Sequence, residues 1–140
     1  KIDEVAHDGA HVDFSVLRGQ VFVVYFYPKD DTPGCTIEAQ AFRDGIAEFN
    51  ELGVRVFGVS LDNTDSHKAF AAKHQLSFPL LADTEGKIAA SFGVNADGGY
   101  ARRVTFIVGP EQTIGGVFPN VDVRVHAGEA LAAAKLLLGN

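Results

Sequence analysis

The stretch VFVVYFY at residues 21–27 decides the fold. A continuous run of β-branched and aromatic residues is typical of a strand that is covered on both faces, because such a strand has no side left for solvent. A polar loop over residues 28–34 follows, and a helical pattern then extends from about Cys35 to Leu52. A second apolar run at residues 54–60 completes a strand–helix–strand unit. This order predicts two parallel strands joined by a right-handed crossover.

The helix predicted after residue 34 has one apolar face, which we expect to pack on the sheet. Gly53 follows it, in a position where glycine commonly ends a helix. Apolar residues recur along this face at helical spacing. They are Ile37, Ala41, Phe42, Ile46, Phe49 and Leu52.

Shorter elements are predicted on both sides of this unit. Alternation over residues 11–16 indicates a half-exposed strand, and residues 18–20 form the turn after it. Further along, Asp65 or Ser66 caps a helix that runs to about His74. The segments after that helix are an apolar stretch at 78–81, a helical stretch at 87–92 and a turn at 95–99.

The last third of the chain predicts a hairpin and a closing helix. Two apolar strands, residues 104–108 and 113–117, are joined through Gly109 and Pro110, which favours an antiparallel pair. A helix follows over about residues 127–138, and its packing and terminal residues are Leu131, Ala134, Leu138 and Gly139. Together these elements predict an α/β fold with a mixed central β-sheet flanked by helices on both faces. We expect residues 1–140 to form a single domain.

Composition narrows the class of protein. The net charge is −6 and the basic residues are scattered, which argues against a nucleic-acid partner. No apolar run approaches the roughly 20 residues that span a bilayer, so we expect no membrane association. The single cysteine excludes an internal disulfide and favours a reducing compartment, which predicts a cytoplasmic protein. The sequence starts at Lys1 without methionine, so we expect its N-terminus to be incomplete.

Cys35 is the candidate reactive residue. A lone cysteine often serves as a small core hydrophobe. Cys35, however, stands at a predicted helix start beyond the carboxyl end of a buried strand, where α/β folds place reactive groups. Unpaired N–H groups and the helix dipole favour an anion there by at most about 2 kcal/mol. A free thiol has a pKa of about 8.5 and is mostly protonated at pH 7, so a nearby cation is needed as well.

The residues around Cys35 resemble the active-site pattern of the peroxiredoxins. Pro28, Thr32 and Cys35 match its Pro-x-x-x-Thr-x-x-Cys motif, and the longer string YFYPKDDTPGCT at 25–36 is similar to the PrxQ subfamily, also called bacterioferritin comigratory protein. The resemblance extends over almost the whole chain. Further matching segments recur in the same order: GVS at 58–60, Asp62, SH at 66–67, FPLLAD at 78–83 and RVTFI at 103–107.

This resemblance implies a thioredoxin-like fold and the thiol-dependent reduction of hydrogen peroxide and organic hydroperoxides. Cys35 would be the nucleophile that becomes a sulfenic acid, and Thr32 would hydrogen-bond the thiolate and the peroxide. Pro28 would shield the pocket and set the loop. Arg103 would be the active-site arginine, with Arg102 as its competitor, and we expect the sulfur at the mouth of a pocket within reach of that guanidinium. Each residue also has a plain explanation: Thr32 as a helix cap, Pro28 as a strand end, Arg103 as a solvated strand residue.

Gln40 marks a departure from the family pattern. Many PrxQ proteins carry a resolving cysteine five residues after the nucleophile, where this chain has Gln40 and no second cysteine. A sulfenic acid on Cys35 would therefore need an external thiol, from thioredoxin, glutaredoxin or glutathione, or the Cys35 of a second subunit. The resemblance favours a monomer, with a dimer as the alternative.

Two other functions are compatible with a single reactive cysteine. One is a redox sensor or thiol-linked binding module with negligible turnover, and the other is a non-catalytic thioredoxin-like interaction domain. The peroxidase is favoured because Thr32 and Arg103 suit oxygen chemistry and the Cys-x-x-Cys of a disulfide oxidoreductase is absent.

We expect neither a cofactor nor a metal. Asp30 and Asp31 are explained as a solvated loop near the positive end of a helix rather than as metal ligands. Glu38 is interpreted as a complement to the helix dipole, in preference to a hydrogen bond near the arginine. The remaining candidates are interpreted as surface histidines: His7, His11, His67, His74 and His126.

Overall fold

The computed structural model describes residues 3–119, 121–124 and 126–138. Its strands are β1 (Asp3–Val5), β2 (His11–Asp13), β3 (Phe22–Phe26), β4 (Arg55–Ser60), β5 (Leu80–Ala82), β6 (Val104–Val108) and β7 (Ile114–Phe118). Its α-helices are α1 (Pro33–Glu51), α2 (Thr64–His74), α3 (Lys87–Ser91) and α4 (His126–Leu137). Two 3₁₀ turns cover Phe14–Leu17 and Asp97–Gly99.

The central sheet is mixed, as the sequence predicted. Its five strands lie in the order β5-β4-β3-β6-β7. β3 runs parallel to β4, and β4 runs parallel to β5, so both crossovers pass through helices on one face. β6 is antiparallel to β3 and to β7, which confirms the predicted hairpin. A separate two-stranded sheet joins β1 and β2.

The β3 strand is covered on both faces because all five of its residues are buried. Val23 and Tyr25 pack in a core with α1, α2 and α4. Phe22 and Val24 pack in a second core with α3 and the first 3₁₀ turn. Helices therefore cover both faces of the sheet, as expected. None of the helices in the part of the chain described is long and apolar enough to cross a membrane.

The apolar face predicted for α1 is wrong at its beginning. Ile37 is 42% exposed, whereas Glu38, Ala39, Phe42 and Phe49 are buried. The buried stripe starts from Cys35, and a residue two positions further on in an α-helix points about 200° away. Ile46 and Leu52 pack against the core as predicted, and Ala41 is half-buried.

Several element ends differ from the sequence prediction for local reasons. β2 stops at Asp13, since its side chain accepts hydrogen bonds from Ser15 and opens the 3₁₀ turn there. Asn63, rather than Asp65 or Ser66, caps α2 by accepting from the Ser66 N–H. In α4, Ala134 is buried and Leu131 packs partly buried as predicted, whereas Leu138 is exposed. Gly139 lies outside the described residues.

Gly58, in the middle of β4, makes room for the aromatic side chain of Tyr25. A Cβ atom on Gly58 would lie 2.8 Å from Leu80 Cδ2 and 3.0 Å from the Tyr25 hydroxyl oxygen. The Tyr25 ring in turn stacks on Phe42 of α1, with 4.6 Å between ring centroids. The absence of a side chain at 58 thus sets how closely Tyr25 approaches the sheet.

Candidate active site

Cys35 lies in the first turn of α1, as predicted. Thr32 is the extended N-cap residue of this helix and Pro33 occupies its first turn, where a missing N–H removes no hydrogen bond. The Cys35 side chain packs in the core that contains Tyr25 and is only 1% exposed. The expectation of a sulfur at the mouth of a pocket is therefore wrong, because Cys35 is buried in this core.

The Arg103 side chain contacts the sulfur of Cys35. It directly precedes β6, and its Nη2 lies 3.4 Å from Cys35 Sγ. A Cβ atom on Gly34 would come within 3.1 Å of the same Nη2, so the guanidinium lies against bare backbone. Burial alone would lower the pKa of Arg103, but Glu38 and Cys35 raise it, which keeps the guanidinium charged. Arg102, the competitor, is exposed and points its backbone N–H at Asn95.

Glu38 is the second partner of Arg103. Its Oε1 accepts a hydrogen bond from Arg103 Nη1 at 2.6 Å. The side chain is fully buried in the second turn of α1, so the preferred interpretation as a dipole complement is wrong. Burial raises the pKa of Glu38 to about 7, although the neighbouring guanidinium acts in the opposite direction. Its Oε2 is buried without a hydrogen-bond partner among the described residues.

Thr32 and Pro28 lie on the loop that leads into α1. The Thr32 hydroxyl donates to the Lys29 carbonyl at 2.9 Å, and no hydrogen bond from it to Cys35 or to the helix N–H groups is found in the described part of the chain. Its side chain therefore does not cap α1. Pro28 is half-buried and directly follows Tyr27. The structure thus brings Cys35 and Arg103 into contact. Thr32, three positions before Cys35 in the sequence, is hydrogen-bonded to Lys29 instead.

Asp30 is buried, which the sequence did not indicate. Its Oδ1 accepts from the Tyr27 hydroxyl at 2.6 Å, and its Oδ2 accepts from the Ser66 hydroxyl at 2.8 Å. His67 Nδ1 lies 2.7 Å from the same Oδ2. The solvated-loop interpretation holds only for Asp31, which is exposed and pairs with Lys73.

Two histidines expected at the surface are instead fully buried. His67 contacts Asp30 and the Leu81 carbonyl, and His126 Nε2 lies 2.7 Å from Thr105 Oγ1. The SH pair at 66–67, one of the segments shared with PrxQ, was the signal that could have singled out the first of them. Burial of an isolated histidine depends on partners far away in sequence, which explains the error.

Asp30, Asp62 and His67 place three possible metal ligands within 4.8 Å of one another. Both oxygens of Asp30 already accept hydrogen bonds from protein donors. Asp62 Oδ2 likewise accepts from the Asp30 N–H and the Ser60 hydroxyl, each at 2.8 Å. This cluster is therefore satisfied as a hydrogen-bonded network.

The fold and the cysteine–arginine contact can now be compared with known proteins. The profile of the AhpC/TSA family matches residues 2–117. A putative peroxiredoxin bcp from Coxiella burnetii is 37% identical over 131 residues, which cover 89% of this chain and 87% of that protein. The chloroplastic peroxiredoxin Q of Gentiana triflora is 43% identical over 115 residues, 81% of this chain. Since those residues are 53% of the Gentiana protein, the chain spans about half the length of that relative.

Solved structures agree in both fold and extent. The bacterioferritin comigratory protein of Xanthomonas campestris superposes with a TM-score of 0.89 at 33% identity, over 96% of this chain and 90% of that one. The peroxidoxin BcpB of Mycobacterium tuberculosis gives a TM-score of 0.87 at 33% identity, over 96% and 92% of the two chains.

A thioredoxin-like fold with a cysteine in the first turn of α1 and an arginine beside it defines the class, and the chain belongs to the AhpC/TSA family. Within that family its relatives are the peroxiredoxin Q or bacterioferritin comigratory proteins, which confirms the resemblance found in the sequence.

Proposed function

We propose that this chain is a one-cysteine thiol peroxidase that reduces hydrogen peroxide and organic hydroperoxides. The observation that carries the proposal is the 3.4 Å contact between Arg103 Nη2 and Cys35 Sγ. A guanidinium is permanently charged, and at that distance its N–H groups can donate to the sulfur and to a peroxide bound beside it. Family membership supports the proposal, and alkyl peroxide reduction is the activity ascribed to the related Xanthomonas campestris protein.

The reaction follows from the chemistry of the two contacting groups. The Cys35 thiolate attacks one peroxide oxygen, the O–O bond breaks, and the second oxygen leaves with the bonding electron pair. Sulfur is oxidised to the sulfenic acid level, while the peroxide is reduced to water or an alcohol once the leaving oxygen takes up a proton. Donors aimed at the leaving oxygen stabilise the transition state more than the ground state, and Arg103 supplies a fixed fork of them.

Thr32 and Pro28 complete the proposed site. Because the Thr32 hydroxyl donates its hydrogen bond to the Lys29 carbonyl, its oxygen lone pairs are available to accept a hydrogen bond from a peroxide O–H. Pro28, half-buried after Tyr27, restricts the loop and limits water near the sulfur. Since Cys35 is 1% exposed, a small displacement at the start of α1 must admit the peroxide.

The second half of the cycle needs a thiol from outside the chain. Attack of that thiol on the sulfenic acid forms a mixed disulfide and releases water, and a second thiol then regenerates Cys35. Gln40 holds the place of a resolving cysteine, and its Nε2 lies 3.3 Å from His74 Nδ1. We propose thioredoxin, glutaredoxin or glutathione as the reductant, a monomer as the working form, and the cytoplasm as the location.

Single-turnover kinetics test the proposal. The reduced protein is mixed with hydrogen peroxide or an alkyl hydroperoxide, and the second-order rate constant is measured by competition with a chromogenic peroxidase. Cys35→Ser should abolish the reaction, and Arg103→Ala should slow it at least ~100-fold, as the loss of a transition-state donor does. Arg102→Ala is the matched control, and we expect it to change the rate less than ~3-fold because that side chain is exposed and lies outside the contact.

The outcomes separate the rival functions. An unchanged rate constant in Arg103→Ala would overturn the proposed mechanism. Intact-mass measurement after one equivalent of peroxide, with and without glutathione, identifies a sulfenic acid, a mixed disulfide or a disulfide-linked dimer. Oxidation without turnover in any thiol would instead indicate a sensor, and the absence of oxidation would indicate an interaction domain.

A further inference from the structure

The carboxylate of Asp30 anchors the loop between β3 and α1 through several hydrogen bonds. Tyr27 and Ser66 each donate a hydroxyl hydrogen bond to Asp30, one to each of its oxygens. His67 Nδ1 lies 2.7 Å from Asp30 Oδ2. The Asp30 backbone N–H also donates to Asp62 Oδ2 at 2.8 Å. Side chain and main chain of this one residue are therefore both held by neighbouring elements.

The contact between His67 and Asp30 is buried, with the two side chains 0% and 3% exposed. His67 Nε2 lies 3.0 Å from the Leu81 carbonyl, which can only accept, so this nitrogen carries a proton. The other ring nitrogen, Nδ1, lies 2.7 Å from Asp30 Oδ2, which also accepts from the Ser66 hydroxyl. Burial alone would raise the pKa of Asp30, but the contact with His67 and the hydrogen bonds from Tyr27 and Ser66 lower it, which agrees with a carboxylate.

We propose, on the basis of the function proposed above, that Asp30 and His67 are positioning residues that keep Cys35 Sγ against Arg103. Only six residues separate the end of β3 from α1, and the hydrogen bond from the Thr32 hydroxyl to the Lys29 carbonyl closes the loop on itself. The Thr36 N–H bonds the Thr32 carbonyl at 2.8 Å and carries this restraint into the first turn of α1. A displacement of Asp30 is therefore expected to move the turn that carries Cys35.

Asp31 provides a matched control in the same loop. It is adjacent in sequence and also carries a carboxylate, but it is exposed and pairs at 2.8 Å with Lys73, whose side chain is 60% exposed. An ion pair in solvent contributes little, whereas a buried polar group that loses its partner is strongly unfavourable. Asp30→Asn should therefore loosen the loop, and Asp31→Asn should not.

Two reactions of Cys35 are compared in the full-length protein. In Asp30→Asn, the peroxide rate constant should fall at least about tenfold, since small misplacements of reacting groups have effects of that size. Alkylation of Cys35 by iodoacetamide should become faster, because the sulfur is 1% exposed and a loosened loop would expose it. Asp31→Asn should leave both rates within about twofold of the original protein. Ser66→Ala, which removes one hydrogen bond to Asp30, should move both rates in the same directions but less, and it serves if Asp30→Asn does not fold.

A conservative double substitution distinguishes positioning from general destabilisation. Asp30→Asn combined with His67→Gln replaces both members of the buried contact by amides that can hydrogen-bond each other, so it should recover part of the peroxide rate lost in Asp30→Asn. Three outcomes would overturn the proposal. In the first two, Asp30→Asn behaves like Asp31→Asn, or it slows both reactions of Cys35 together. In the third, the double variant recovers nothing, so that its loss of peroxide rate equals the product of the losses in Asp30→Asn and in His67→Gln measured alone. Should the original protein fail to reduce any peroxide, the proposed function falls, while the alkylation rates still decide whether Asp30 and His67 hold the loop.

Discussion

Replacing Glu38 by glutamine isolates the energetic effect of one buried carboxyl beside the sulfur. Glutamine keeps the shape of the side chain, and its amide oxygen can still accept the hydrogen bond that Arg103 Nη1 donates to Glu38 Oε1. What it removes is a negative charge in a fully buried position, whose second oxygen has no partner among the described residues. The pKa of Glu38 shows that burial outweighs the attraction of Arg103.

The pKa of Glu38 fixes the size and the sign of the effect. It is raised from 4.5 to about 7 by burial. At roughly 1.4 kcal/mol per pH unit, this difference corresponds to about 3 kcal/mol of unfolding free energy. Because the folded state binds the proton more tightly than the unfolded state, the contribution is fully present below pH 4.5 and is lost as the pH rises through 7. The original protein should therefore lose stability relative to Glu38→Gln over this window.

Urea unfolding at several pH values measures the effect. Both proteins carry Cys35→Ser so that the thiol does not titrate, and unfolding is followed by far-ultraviolet circular dichroism. Between pH 5 and pH 8, the unfolding free energy of Glu38→Gln minus that of its parent should increase by about 2–3 kcal/mol. A difference that does not change with pH, or that decreases, would show that Arg103 keeps Glu38 ionised throughout and would refute this reasoning.

Substitutions at four further positions have defined expectations. Thr32→Val should slow peroxide reduction by about 100-fold in single-turnover kinetics while Thr32→Ser retains most of the rate, because only the hydroxyl is placed to contact the substrate; equal rates would remove Thr32 from the mechanism. Gly58→Ala should lower the unfolding free energy by about 1–3 kcal/mol, since its Cβ would lie 2.8 Å from Leu80 Cδ2. Gly45→Ala, whose Cβ meets nothing closer than 3.9 Å in the middle of α1, should raise it by about 0.5–1 kcal/mol, and urea unfolding that ranks the two the other way would contradict the packing described. Gln40→Cys should form an intrachain disulfide with oxidised Cys35 only when α1 unwinds. Five helical positions separate the two residues by about 7.5 Å along the axis, beyond the reach of a disulfide. Intact-mass measurement should show the disulfide forming faster in sub-denaturing urea, and the same rate without urea would refute this.

The fold was predictable because its main signals are local. The run at 21–27 is apolar or aromatic throughout, and this predicted a strand covered on both faces before any partner strand was known. The hairpin of β6 and β7 was likewise predicted from two apolar strands around Gly109 and Pro110. The phase of α1 was less certain, since its buried stripe depends on which residue meets the sheet first, and that residue proved to be Cys35 rather than Ile37.

The candidate site was predicted only in part. Cys35 and Arg103 are 68 positions apart, and only the resemblance to a family could pair them in advance. Glu38, Asp30 and His67 were misjudged because polar residues are usually exposed, and their burial depends on long-range partners that no local pattern reveals. In each case the partner comes from another element: Arg103 for Glu38, and α2 for Asp30.

The arrangement of tyrosines gives this protein an optical signal of its own. The chain contains no tryptophan and three tyrosines, so tyrosine dominates its near-ultraviolet absorption. Tyr100 is exposed, whereas Tyr25 and Tyr27 are buried and stack on each other with 5.4 Å between ring centroids. Tyr25 packs in the same core as Cys35. Burial raises the pKa of the Tyr25 hydroxyl, and a negative charge on that sulfur would act in the same direction. Ionisation or oxidation of the cysteine can therefore be followed as a change in tyrosine absorption or dichroism, without an attached dye.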